Sequence, residues 1–240
     1  MNRLGTGLLL LSLSGLASAA DPDNHSRWAS GAYAGLDVGL AVGSSEQRFP
    51  AGAWEGDPAY PAVKADDTSY AVGGQVGVNY LRNNLLIGLE GDIAKTSFKV
   101  QAPGVMYPGE GKGEAVGQDV DWFSTVRVRT GAVLGNALLY ATGGLAITSG
   151  QVTLKDGAYH DSNNQDDLLA TGWTAGAGVE YAFGTNLSGK IEYLHLSTSG
   201  KASTVCSTAG CFDEGDDGEV FRSKNKFDAD IVRVGLNYRF

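Results

Sequence analysis

Chemistry-bearing side chains are scarce in this sequence. Its 240 residues hold two cysteines, three histidines and two methionines. Zinc is not expected, because Cys206 and Cys211 in "CSTAGC" have no second pair of ligands nearby. Positive charge is also short: 18 lysines and arginines stand against 27 acids, a formal net charge of −9. That excludes nucleic acid as a partner, since phosphate binding needs a basic surface. Long apolar runs are missing as well. Past the first twenty residues nothing is continuously apolar for the ~20 residues a transmembrane helix needs. Proline, at six residues, is too sparse to break up long strands. No cofactor is expected.

What the chain does have begins with an export signal. Arg3 is the single charge of the first twenty residues, "LGTGLLLLSLSGL" is apolar, and Ala17-Ser18-Ala19 has the small-x-small form of a cleavage site. Residues 1–20 are therefore expected to be a signal peptide and residues 21–240 one all-β domain. In an exported protein Cys206 and Cys211 are expected to close a short loop disulfide. The 35 glycines and ten tyrosines suit β-structure.

The tail shows how that structure is organised. Phe240, Tyr238, Leu236, Val234 and Val232 are apolar, and the residues between them are mostly polar or small, which is the period-two pattern of a strand with one apolar face. The pattern returns at 32–42, 69–81, 85–97, 121–134, 138–153, 170–183, 187–197 and 228–240. Short turns ("RNN", "GNA", "GTN") alternate strictly with long connections at 43–68, 98–120, 154–169 and 198–227. Eight strands with this lopsided set of loops predict an eight-stranded antiparallel transmembrane β-barrel, with short periplasmic turns and long extracellular loops. In lipid only a closed barrel satisfies every strand hydrogen bond.

Parity assigns the faces. Leu36, Val38, Leu40, Val72, Val76, Ile87, Leu89, Ile93, Val126, Val128, Leu145 and Ile191 point outward. Trp122, Trp173 and Tyr70 fall near the loop side, and Tyr80, Tyr181, Phe183, Tyr238 and Phe240 near the turn side, as two aromatic girdles. Inward lie Asp37, Glu90, Asp92, Glu180 and Glu192 against Arg127, Arg129, Lys190, Arg233 and Arg239. Five carboxylates against five cations is a balanced, packed lumen network, because an unpaired buried charge is costly and eight strands enclose only enough room for side chains.

The phrases "GLEGD", "TVRVRTG", "LLYATGG", "GAGVEYAF" and "VGLNYRF" resemble the small eight-stranded outer-membrane barrels of Gram-negative bacteria. The closer likeness is to the opacity-type and porin-family surface antigens with an OmpA-like barrel, over nearly the whole mature chain. The resemblance implies residence in the cell outer membrane among its lipids and lipopolysaccharide, and an envelope-structural or surface-antigen and adhesin role with a host or surface ligand at the loops. It also implies that Val234, Leu236, Tyr238 and Phe240 form the signal read by the barrel-assembly machinery. The match stops at strand eight, so no peptidoglycan-binding domain is expected. Two alternatives stay open. One is a small-solute porin, although aqueous channels generally need ~16 strands. The other is an outer-membrane esterase resembling the lipid A deacylases, with Ser197 activated by His195 and Asp230, the last expected close to Ser197. The acidic run from Asp213 to Glu219 lacks calcium-loop spacing and is read as a solvated loop.

Overall fold

The computed structural model describes residues 27–48, 63–103, 115–155, 164–205 and 220–240. Eight strands run through them: β1 (Gly31–Arg48), β2 (Val63–Arg82), β3 (Leu85–Pro103), β4 (Ala115–Leu134), β5 (Ala137–Lys155), β6 (Asn164–Ala182), β7 (Leu187–Val205) and β8 (Val220–Arg239). Each pairs antiparallel with its sequence neighbours, and β8 returns to β1, so the sheet closes into a barrel. The signal peptide, the Cys206–Cys211 pair and the acidic run 213–219 lie outside the described residues.

Tight turns set the register at one end. Asn83-Asn84 joins β2 to β3, and Gly135-Asn136 joins β4 to β5. Asn83 (φ 56°) and Gly135 (φ 63°) take the left-handed conformation that such hairpin turns require and that asparagine and glycine supply most readily.

At the other end the strands are longer than the apolar alternation indicates. β1 runs to Arg48 rather than Val42, and β8 starts at Val220 rather than Asp228, so stretches expected as loops are ladder. The cause is a change of phase. On β8, Val232, Val234, Leu236 and Tyr238 are exposed and apolar, whereas before them Phe227, Ala229 and Ile231 are buried and the outward positions are Lys226, Asp228 and Asp230. Beyond the lipid band the barrel reverts to an ordinary soluble pattern, apolar within and polar without. Leu194 and Leu196 mark the same reversal on β7. A β-bulge between Val120 and Trp122 turns Val120 inward against its parity.

The lumen is therefore layered. Towards the loops lies an apolar cluster of Phe98, Val120, Phe123, Leu194, Leu196, Phe227 and Ile231 with small alanines. Towards the turns lies a second, of Trp28, Leu86, Val133, Leu138, Tyr140 and Ala182. The charged residues occupy the space between. Trp28 comes from the segment ahead of β1, which folds across the turn-side mouth. Its indole Nε1 donates to Asn136 O (3.1 Å), and Arg27 donates to Phe183 O (2.7 Å). The Arg239 guanidinium stacks 4.5 Å above the Trp28 ring.

Candidate functional site

All ten inward charges are buried, and nine of them form one connected network. Arg127 on β4 holds three carboxylates at once: Glu90, Asp92 at 2.6 Å and Glu192 at 3.4 Å. Arg233 on β8 reaches Glu192 at 2.5 Å, Asp92 at 3.1 Å and Asp37 at 3.4 Å. Arg129 bridges Glu180 (2.8 Å) and Glu90 (3.3 Å). Lys190 donates to Gln75 and lies 3.5 Å from Glu192. The contacts from β4 to β7 and from β8 to β3 cross the barrel from wall to wall, so the lumen is filled and is no wide pore.

Arg239 differs from the expectation. It points inward but sits at the turn-side mouth, donating to Gly184 O (3.1 Å) and stacking on Trp28. Among the described residues it meets no carboxylate at ion-pair distance. The connected network thus has five acids and four cations, and neutral donors make up the difference. Tyr33 Oη donates to Glu90 (2.5 Å), Tyr140 Oη to Glu192 (2.8 Å), and Ser188 and Asn237 both donate to Glu180.

Sequence reasoning passed over Tyr33 and Tyr140, although a signal exists. Each stands directly across the ladder from a glycine, Tyr33 opposite Gly77 and Tyr140 opposite Gly178. A Cβ on Gly77 would lie 2.5 Å from the Tyr33 ring, and one on Gly178 would lie 2.6 Å from Tyr140 Oη. Glycine at each of these positions leaves the space that the facing tyrosine ring occupies.

The other constellation stands outside, where the lipid-facing apolar positions end. His195 Nδ1 meets Asp230 Oδ1 at 2.9 Å, and Tyr193 Oη donates to the same oxygen at 2.6 Å. The exposed Trp173 ring lies 5.3 Å from that of His195. The ladder corrects the expected proximity of Asp230 to Ser197: His195 stands opposite Asp230, and Ser197 opposite Asp228. The Ser197 hydroxyl bonds to Asp228. The imidazole thus meets Asp230 and the serine stands with Asp228, each on its own rung of the ladder. Higher still, Arg48 (2.5 Å) and Lys64 (3.4 Å) flank Glu46, and the hydrogen bond from Arg48 holds its carboxyl below the usual carboxylate range. Such exposed pairs contribute little to stability.

The terminal strand is the seam of the barrel. Val234, Leu236, Tyr238 and Phe240 face outward and are exposed. The Phe240 N–H donates to Ala32 O (3.0 Å), and the Tyr238 and Phe240 rings meet edge to face at 5.3 Å.

A closed eight-stranded sheet with an apolar outer band, aromatic girdles and a salt-bridged interior defines an outer-membrane β-barrel protein. The chain belongs to the outer membrane protein beta-barrel domain family, whose sequence model matches residues 6–240, and it resides in the outer membrane. It is similar to the 31 kDa outer-membrane immunogenic protein of Brucella melitensis, 33% identical over 230 residues, covering 93% of this chain and 88% of that protein. It is also similar to the 22 kDa outer membrane protein of Rhizobium leguminosarum, 30% identical over 200 residues and 80% of each chain. Among solved structures, OprG of Pseudomonas aeruginosa shares the fold, with TM-score 0.52 and 14% identity over 90% of this chain and 99% of that one. So does the outer membrane protease OmpT of Escherichia coli, with TM-score 0.54 and 11% identity over 90% and 100%.

Proposed function

We propose that this protein is a sealed outer-membrane barrel with an envelope-structural and surface-antigen role, and neither a solute channel nor an enzyme. The observation that carries the reading is the lumen: cross-barrel ion pairs are held between two apolar layers. Relatives at 33% identity are named outer-membrane immunogenic proteins, which supports presentation of the long connections at the cell surface. The engagement of Ser197 with Asp228, while His195 pairs with Asp230, argues against the esterase reading. Under this proposal residues 1–20 are removed on export. The barrel-assembly machinery reads Val234, Leu236, Tyr238 and Phe240, and a Cys206–Cys211 bridge staples the last connection. The neighbours are outer-membrane lipids and lipopolysaccharide, with a host or surface ligand at the loops.

The test pairs two measurements. Antibodies raised against residues 198–219 should label intact cells, and the purified barrel in planar bilayers should give no stepwise conductance. Steady ion channels would refute the sealed lumen, and labelling only after permeabilisation would refute the surface role.

A further inference from the structure

We propose that Trp173, His195, Tyr193 and Asp230 form a binding site for the hydroxyl-rich saccharide headgroup of an outer-leaflet glycolipid. The inference rests on the outer-membrane placement and not on the antigenic reading, so either can fail alone.

The argument begins with height. Along the outer face, Val232 and Tyr193 are register partners and are the last apolar or aromatic pair on β7 and β8. His195 and Asp230 form the next outward pair above them. A lipid whose head meets this pair keeps its tails against the apolar band directly below, so the height suits a lipid headgroup.

The chemistry of the cluster selects the head. Asp230 Oδ1 receives both the Tyr193 hydroxyl and His195 Nδ1, which fixes a carboxylate whose side chain stays 57% exposed and open to further donors. A preorganised acceptor beside an exposed indole face is the arrangement that takes a sugar: hydroxyls donate to the carboxylate while the apolar ring face lies on the aromatic. Trp173 supplies that face, half exposed and leaning from β6 towards His195 on β7. Asp228, one outward step higher, adds a second carboxylate that Lys226 partly offsets (2.8 Å). A phosphate at this position would meet two carboxylates at close range and be repelled. The site is therefore one for hydroxyl groups and not for phosphate.

The experiment compares two lipids with identical acyl chains, a glucosyl diacylglycerol and phosphatidylglycerol, by native mass spectrometry of the full-length barrel released from micelles. The wild type should retain the glucosyl lipid at about tenfold lower concentration than phosphatidylglycerol, the preference expected of one hydrogen bond and one ring contact together. Trp173→Leu and Asp230→Leu should abolish that preference while retaining the heat-dependent gel shift of a folded barrel, since both side chains lie outside the lumen. Chemical shifts of the His195 ring in the wild type provide a second reading that needs no variant, and they should move with the glucosyl lipid alone. Equal retention of the two lipids by the wild type would overturn the proposal, as would an undiminished preference in both variants. Displacement of the glucosyl lipid by free methyl glucoside would overturn the lipid part, showing a site for soluble sugar.

Discussion

At the scale of single residues, stability concentrates in Arg127. It serves three buried carboxylates on two opposite walls, so Arg127→Ala removes the counter-charge that Glu90, Asp92 and Glu192 share and leaves the buried network with five acids and three cations. The expected loss is ~3–5 kcal/mol, read as a lower urea midpoint for unfolding from micelles. Arg239→Ala removes one carbonyl hydrogen bond and one ring contact, and should cost only ~1–2 kcal/mol. If the two variants ranked the other way, the network would not be what holds the walls together. Gly77→Ala pushes a methyl into the Tyr33 ring and should destabilise by ~1–3 kcal/mol through overpacking; an unchanged midpoint would mean that the ring has room to move. Much of this site was legible in the sequence, because charge at inward parity in a membrane barrel has nowhere else to go. The tyrosines were not, since an aromatic on a barrel strand reads by default as girdle. Trp28 gave no signal at all, for it precedes the first alternating stretch.

At the scale of the strand, the reversal of phase at Val232 makes a testable boundary. Leu236→Arg puts a charge in mid-band and should cost ~2–4 kcal/mol, whereas Asp228→Arg, outward on the same strand but above the band, should cost ~0–1 kcal/mol. Equal losses in urea unfolding from lipid vesicles would mean that the boundary lies elsewhere. The alternation located all eight strands and their turn-side ends. It cut them short on the loop side because apolar residues there were sought outside, and Phe227, Leu194 and Leu196 are inside. The bulge at Val120 cannot be read from alternation, since one extra residue leaves both local patterns intact. The last strand carries a separate expectation. Deleting Phe240 removes a half-desolvated ring and should cost the folded barrel no more than ~1–2 kcal/mol. In cells it should sharply lower the outer-membrane level under the proposed reading of this strand by the assembly machinery. Normal cellular levels of the truncated chain would leave Phe240 as a girdle aromatic only.

At the scale of the whole molecule, a closed sheet opens only by breaking a whole inter-strand ladder at once, such as β1–β8 from Tyr33–Arg239 to Arg48–Lys224. Unboiled protein should therefore migrate differently from boiled protein on gels, and identical mobility would argue against closure. The phase reversal has one more consequence, and it concerns the membrane. From Val232 to Phe240 there are eight residue steps, which at ~3.4 Å each and a tilt of ~40° span only about 20 Å of bilayer normal. Above this band stand Asp228 and Asp230, which cannot sink, and below it Trp28 and Arg239 close the mouth. The barrel is a fixed gauge of thickness, and a thicker bilayer must thin around it at a cost that grows with each ångström of mismatch. Folding into vesicles should accordingly be fastest and most complete in short-chain lipids and decline steadily as the acyl chains lengthen.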